Sequence, residues 1–338
     1  MGYLILGGGA AGTAAAGAIR KRDKSGTIVI ATEETSAPYL RPLLPDLVSG
    51  DADAESIKDP QAEALAAIGI EVRRGKRAVR VDAEKNAVTF ADRTSETYQV
   101  LLVATGGKPV VPPALAAAAK TAIPFDSLAD TVRIREHAGN PGASIVYGPG
   151  YLAMEACRVL KKAGRDVVWI KPGQPRFGNP ISGEFEASVI NQIQDRGVRL
   201  KDGDDVVAVE ERPRDAAVVR TRDGESIPCA VIVVATERLP SIAFLGESGV
   251  KTGTGVLVDH YLRTNVPNIF AAGDCAELRD AKSGKTHINF GWRSAIKQGR
   301  LAGENMAGGG KVYTAKPEDY LWLLFGAPLS DRIGQGGA

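Results

Sequence analysis

Two glycine-rich stretches carry the spacing that dinucleotide chemistry needs. Gly7-x-Gly9-x-x-Gly12, with Ala10 and Ala11 inside the turn, follows the apolar run Tyr3-Leu4-Ile5-Leu6 and precedes an alanine-rich segment. That order reads as strand, turn, helix. The first glycine permits the tight turn, the second lets backbone approach a pyrophosphate, and the third lets helix and strand pack closely. The helix N-terminus adds N–H donors and the positive end of its dipole for the phosphates. Glu33, just past the β-rich run 27–31, stands where a carboxylate accepts hydrogen bonds from an adenosine ribose.

A second copy begins at Ser144. Ile145-Val146-Tyr147 leads into Gly148-x-Gly150-x-x-Ala153, with Tyr151 and Leu152 opening the next helical segment. Alanine is permitted at the third position. At the end of the following strand the expected acid is replaced by Lys171. A carboxylate there binds a ribose 2′-hydroxyl and repels a 2′-phosphate. A lysine removes the repulsion and adds attraction, with Arg176 close by in sequence. This predicts that NADPH competes well with NADH; the alternative is a solvated surface lysine.

The elements that must position these turns fit a two-domain chain. Its 338 residues include 42 basic and 40 acidic side chains, for a net charge of +2, and 44% are hydrophobic. That is enough for two ordinary cores. Balanced charge argues against a nucleic-acid-binding domain. No apolar run approaches the ~18 residues of a membrane span, and Met1 leads straight into a strand with no export signal, so the expected location is the cytoplasm. Glycine, at 39 residues, clusters at strand ends. Cys157, Cys229 and Cys275 are far apart, which excludes a locally encoded zinc or iron–sulfur site. Each reads as a buried structural thiol, so any redox chemistry must sit on an organic cofactor.

The fold expected is α/β: two Rossmann-like dinucleotide-binding domains, one interrupting the other. The boundaries read as 1–110 and 240–310 for the first domain, 111–239 for the second and 311–338 for a C-terminal tail. Between the fingerprints, 72–81 and 87–90 read as strands, and 100–104 as an apolar run ending at a Thr-Gly-Gly turn. In the second domain 206–209 and 217–221 read as a hairpin, followed by 231–235.

The remaining motifs resemble the FAD- and NAD(P)-dependent pyridine nucleotide–disulfide oxidoreductase superfamily over nearly the whole chain. Ala104-Thr105-Gly106 matches its strand-ending Ala-Thr-Gly. Thr264-Asn265-Val266-Pro267-Asn268-Ile269-Phe270-Ala271-Ala272-Gly273-Asp274 matches its second flavin signature, with Asp274 implied to hydrogen-bond the flavin ribityl chain. Pro38-Tyr39-Leu40-Arg41-Pro42-Leu43-Leu44 is similar to a stretch of the rubredoxin, ferredoxin and nitrite-reductase-type reductases, and no cysteine precedes position 157. Trp292-x-x-Ala295-x-x-Gln298-Gly299-Arg300 matches the same branch, where this helix covers the flavin.

The resemblance implies bound FAD, NAD(H) or NADP(H) as the partner nucleotide, no metal and no side-chain proton catalyst. FAD contacts fall on Gly7, Gly9, Ala10, Ala11, Gly12, Glu33, Arg41, Pro42, Ala104, Thr105, Gly106, Gly273, Asp274 and Trp292. Nicotinamide-nucleotide contacts fall on Gly148, Gly150, Tyr151, Leu152, Glu155, Lys171, Ala235 and Glu237. Three departures stand out. Pro45 and Asp46 replace the branch's Ser and Lys, although the lysine's partner survives as Glu155. Ala235-Thr236-Glu237 carries a carboxylate where glycine is expected. The family's C-terminal interface domain is cut short.

The implied activity is an FAD-dependent NAD(P)H oxidoreductase passing electrons to a one-electron carrier, an iron–sulfur or rubredoxin-type protein. The rivals are a non-catalytic flavoprotein subunit or redox sensor and, disfavoured by the missing cysteines, a disulfide reductase. The apolar run Tyr320-Leu321-Trp322-Leu323-Leu324-Phe325 is expected to dock on the carrier or to fold back on its own domain.

Overall fold

The structure, a computed structural model, describes residues 1–173, 183–213, 216–279 and 284–314. Arg176 and the run from Tyr320 to Phe325 lie outside the described residues. The chain divides into two compact units. The first comprises Met1–Leu40, Lys58–Gly107 and the described residues from Leu239 onward; the second comprises Arg41–Ile57 and Lys108–Arg238.

The first unit is built on a five-stranded sheet. Its spatial order is Ile269–Ala271, Val100–Val103, Gly2–Leu6, Thr27–Ala31 and Ile70–Arg73, and every pairing is parallel. A parallel sheet is covered on both faces, so its inner strands are apolar throughout rather than alternating. Leu4, Ile5, Leu6, Leu101, Leu102 and Val103 are accordingly all buried.

The helix Ala10–Arg22 packs against Trp292–Met306 with backbones nearly touching. A Cβ added at Gly299 would lie 2.1 Å from the Ala11 carbonyl oxygen, and one at Gly303 would lie 2.3 Å from that of Ala15. Pairing 11 with 299 and 15 with 303 makes the two helices run parallel, so their N-termini emerge at the same end. The segment read as one strand over 72–81 is two, Ile70–Arg73 and Ala78–Asp82, broken at Gly75, whose φ is +70°. The second of these joins Ala87–Phe90 and Ser95–Thr97 in an antiparallel meander.

The second unit repeats the plan. Arg199–Asp202, Val167–Lys171, Ala143–Tyr147 and Ser226–Val234 lie side by side in parallel. The long strand Ser226–Val234 then serves two neighbours. Its first half pairs antiparallel with Ala216–Thr221, which continues to Val206–Arg212; its second half pairs parallel with Ala122–Pro124. The helix Leu128–Ala138 starts at a capping box, in which Asp130 N–H donates to Ser127 Oγ and Ser127 N–H donates to Asp130 Oδ2. The short helix Leu44–Ser49 packs on Leu128–Ala138 and on Tyr151–Lys162. Lys162 Nζ donates to Asp51 Oδ2 at 2.6 Å, tying the segment Arg41–Ile57 into this unit.

Candidate functional sites at two glycine turns

Gly7 leaves the strand Gly2–Leu6 with φ +113°, and a Cβ there would sit 2.2 Å from the Ala104 carbonyl oxygen. One on Gly12 would sit 2.0 Å from the Gly7 carbonyl oxygen. Both glycines are therefore demanded by the protein's own backbone. Gly9 is not, because its Cβ would meet nothing within 4 Å. It is the N-cap of Ala10–Arg22, and no side chain caps that helix. Open space at an uncapped helix start fits a dinucleotide diphosphate.

The other strand ends converge on this turn. Ala104 N–H donates to the Leu6 carbonyl and Ala272 N–H to that of Val103. Thr105 Oγ1 donates to the Ser241 carbonyl at 2.8 Å, and Ser241 N–H returns a bond to Gly106. Gly273, with φ +81°, donates its N–H to Gln298 Oε1 at 2.9 Å. Asp274 Oδ1 accepts from Gly291 N–H at 3.1 Å, the residue that starts the Trp292–Met306 helix. Trp292 Nε1 is buried without a hydrogen-bond partner, a donor left for a bound group. Glu33 lies two residues past the adjacent strand Thr27–Ala31, with its side chain half exposed and Arg77 Nε 3.9 Å away.

The structure thus gathers Gly7, Gly9, Ala10, Ala11, Gly12, Glu33, Ala104, Thr105, Gly106, Gly273, Asp274 and Trp292 at the carboxyl ends of one parallel sheet, the usual ligand edge of such folds. Arg41 and Pro42 belong to the second unit. There Arg41 Nη1 donates to the Asp126 carbonyl at 2.6 Å and lies 3.3 Å from Asp126 Oδ1. Arg238 pairs with the same carboxylate.

Sequence reading missed what steadies the Gly273 turn. Gln298 Nε2 donates to Ser294 Oγ at 3.0 Å. Ser294 Oγ bonds Tyr313 Oη, which also accepts from Asn289 Nδ2. Ser294, Gln298, Asn289 and Tyr313 are all buried. Serine and glutamine four apart on one helix face were visible signals, but the tyrosine that completes the chain lies beyond the helix.

The second turn repeats the first at its two leading glycines. A Cβ on Gly148 would sit 2.0 Å from the Ala235 carbonyl oxygen, so Ala235 plays the part of Ala104, and one on Gly150 would meet nothing within 4 Å. No side chain caps the helix Tyr151–Lys162. Trp169 Nε1 donates to the Gly148 carbonyl at 2.9 Å, fixing the turn to the next strand. Thr236 Oγ1 donates to the Val110 carbonyl, and Val110 N–H to that of Glu237.

Two side chains differ from their sequence readings. Glu155, without the branch's lysine, is held by Arg158 one turn along its own helix: Arg158 Nε and Nη2 donate to its two oxygens at 2.9 and 2.5 Å. Burial works against the Arg158 charge, but the carboxylates of Glu155 and Asp46 outweigh it and hold its pKa above the ordinary value. Lys171 is not solvated. It is 4% exposed, with Nζ 3.4 Å from Glu186 Oε1 and 3.3 Å from Asp202 Oδ1.

The three thiols are sealed. Burial pushes Cys157 well above its ordinary pKa, Cys229 up to about 12, and Cys275 upward as well. None can supply a thiolate at neutral pH. Among the described residues no cluster of side chains could hold a metal ion.

Two parallel-sheet units, each ending a strand in the same glycine turn, define a two-Rossmann-domain protein of the dinucleotide-handling class. The chain belongs to the pyridine nucleotide-disulphide oxidoreductase family, whose model matches residues 1–299. It is 30% identical to the NADH-dependent phenylglyoxylate dehydrogenase subunit epsilon of Aromatoleum evansii, over 99% of this chain and 80% of that one. It is 27% identical to rhodocoxin reductase of Rhodococcus erythropolis, over 95% and 75%. Among solved structures, the fold is shared with a chain of a covalent putidaredoxin reductase–putidaredoxin complex. There the TM-score is 0.84 at 23% identity, covering 93% of this chain and 76% of the other.

Proposed function

We propose that this chain is an FAD-dependent NAD(P)H oxidoreductase that passes electrons between a nicotinamide nucleotide and a one-electron carrier, an iron–sulfur or rubredoxin-type protein or subunit. The observation that carries the reading is the pair of matching glycine turns in a chain whose thiols are all sealed. The similar proteins named as a rhodocoxin reductase and as the ferredoxin reductase subunit of a demethylase support the carrier class.

In this reading, Gly9, Ala10 and Ala11 would hold the FAD diphosphate against the helix start while Gly7 and Gly12 make that approach possible. Glu33 would accept from the adenosine ribose, Asp274 from the ribityl chain, and Trp292 Nε1 would donate to the bound group. Gly148, Gly150, Tyr151 and Leu152 would hold the nicotinamide nucleotide in the same way, and Arg158 fixes Glu155 behind them through two hydrogen bonds. FAD bound here would supply the hydride acceptance and single-electron release, so no side-chain base would be required. The three free thiols suit a reducing compartment, and we assign the protein to the cytoplasm; among the described residues no helix is long and apolar enough to cross a membrane.

The first test is FAD content. Purified protein should be yellow and release stoichiometric FAD on denaturation. Colourless protein that takes up no FAD on incubation would overturn the proposal.

A further inference from the structure

We propose, resting on the nicotinamide-binding reading of the second unit, that Glu186 and Asp202 make this site selective for NADH by neutralising Lys171. The adenosine ribose of a dinucleotide on a Rossmann turn lies at the carboxyl end of the strand after the turn. That end is Lys171, the last residue of Val167–Lys171, and Gly148 N–H donates to the Ile170 carbonyl beside it. A lysine here would welcome a 2′-phosphate if its charge were available.

It is committed elsewhere. Lys171 Nζ lies between Asp202 Oδ1, from the neighbouring strand Arg199–Asp202, and Glu186 Oε1, from the helix Gly183–Asp195. Among the described residues here, one cation stands against two carboxylates, a net negative charge. The lysine side chain is 5% exposed and that of Glu186 is 18% exposed, whereas Asp202 is 61% exposed. Of these three described side chains, the one open to solvent is therefore a carboxylate. Carboxylate oxygen accepts from a 2′-hydroxyl, as the missing acid at position 171 would have done, and it repels a phosphate dianion. A 2′-phosphate would have to compete with both acids for a lysine that is itself buried, where unpairing a charge is costly. Lys201 cannot compensate, because it is engaged by Asp204, Asp223 and Glu225. The specificity acid has moved off the strand and onto its neighbours.

The test measures NAD⁺ and NADP⁺ binding to the FAD-loaded protein by calorimetric titration. The initial rate of anaerobic flavin bleaching by NADH and NADPH is the second readout. The wild type should favour NAD⁺ at least tenfold. Glu186→Gln with Asp202→Asn should shift the NADP⁺/NAD⁺ ratio by at least tenfold toward NADP⁺, and adding Lys171→Met should abolish that gain. Asp202→Asn alone, at an exposed position, should give part of the shift even if the double variant folds poorly. Equal binding of both nucleotides by the wild type, or a ratio unmoved by Asp202→Asn, would overturn the inference alone. Binding of neither nucleotide would overturn the proposed function and this inference with it.

Discussion

Gly9 and Gly7 lie two residues apart and are glycine for different reasons. Gly7 is required by the fold, since its φ is +113° and the Ala104 carbonyl blocks any side chain. Gly9 faces open space, with a φ of −82° that alanine adopts freely. Gly9→Ala should therefore leave thermal unfolding nearly unchanged, within about 1 kcal/mol as for other N-cap changes. It should weaken FAD binding about tenfold or more by standing where the diphosphate approaches. Gly7→Ala should cost ~2 kcal/mol or more in stability. Differential scanning fluorimetry and FAD titration on both variants check this; equal effects on both quantities would deny the distinction. The thiols give a second expectation at single residues. Native protein, oxidised or two-electron reduced, should expose no fast-reacting thiol to Ellman's reagent, and all three should react after denaturation. A thiol appearing on reduction would restore disulfide chemistry. The glycines were legible in the sequence because the fingerprint is local and each position has its own steric reason. The state of Lys171 was not, because its two partners come from later elements that only the folded sheet and helix bring alongside it.

The helix Trp292–Met306 shows how an element is recruited. Gly299 and Gly303 let it lie on Ala10–Arg22 at backbone distance, while Gln298, Ser294 and Tyr313 link its buried face to the Gly273 turn. Tyr313→Phe keeps the packing and removes one hydroxyl from that chain, so it should cost about 1 kcal/mol in urea unfolding. Tyr313→Ala should cost ~3 kcal/mol or more, because the side chain is 3% exposed. Unchanged stability in Tyr313→Ala would mean the segment after the helix is not part of the core. At the opposite extreme sits Lys201, at the edge of the second unit. Its hydrogen bond, followed by that of Thr221, holds Asp223 far below the usual carboxylate pKa. A depressed carboxylate lends stability above its unfolded pKa, near 4, and loses it as pH falls toward the folded value. Lys201→Met should therefore make acid unfolding less steep below about pH 4, read by circular dichroism; an unchanged acid limb would show that the network contributes nothing. The inner parallel strands, such as Gly2–Leu6 and Val100–Val103, were plain in the sequence as unbroken apolar runs, whereas the edge strand Arg199–Asp202 carries no such run and was not legible. Ser127 and Asp130 spell the capping box of the helix Leu128–Ala138, a signal left unused in the sequence, and the break at Gly75 is itself written there as a glycine among Arg73, Arg74, Lys76 and Arg77.

Across the whole chain, the two similar sites divide the work in the proposed function: one holds the flavin and the other presents the nicotinamide nucleotide. The duplication was legible because both fingerprints, and the strand-ending Ala104 and Ala235 that close them, recur in the same order. Which residues neutralise, brace or orient the sites depended on tertiary neighbours, and the tail run expected to dock on a carrier lies outside the described residues. The decisive measurement is anaerobic titration of the FAD-loaded protein with NADH, followed by absorbance in the visible flavin bands. Two working sites should give bleaching by one equivalent of NADH per flavin, with no thiol formed, and recovery of the oxidised spectrum when a ferredoxin- or rubredoxin-type acceptor is added. A flavin that binds normally but keeps its oxidised spectrum in excess NADH and NADPH would contradict this division, and would mark the chain as a flavoprotein subunit whose second site no longer serves electron transfer.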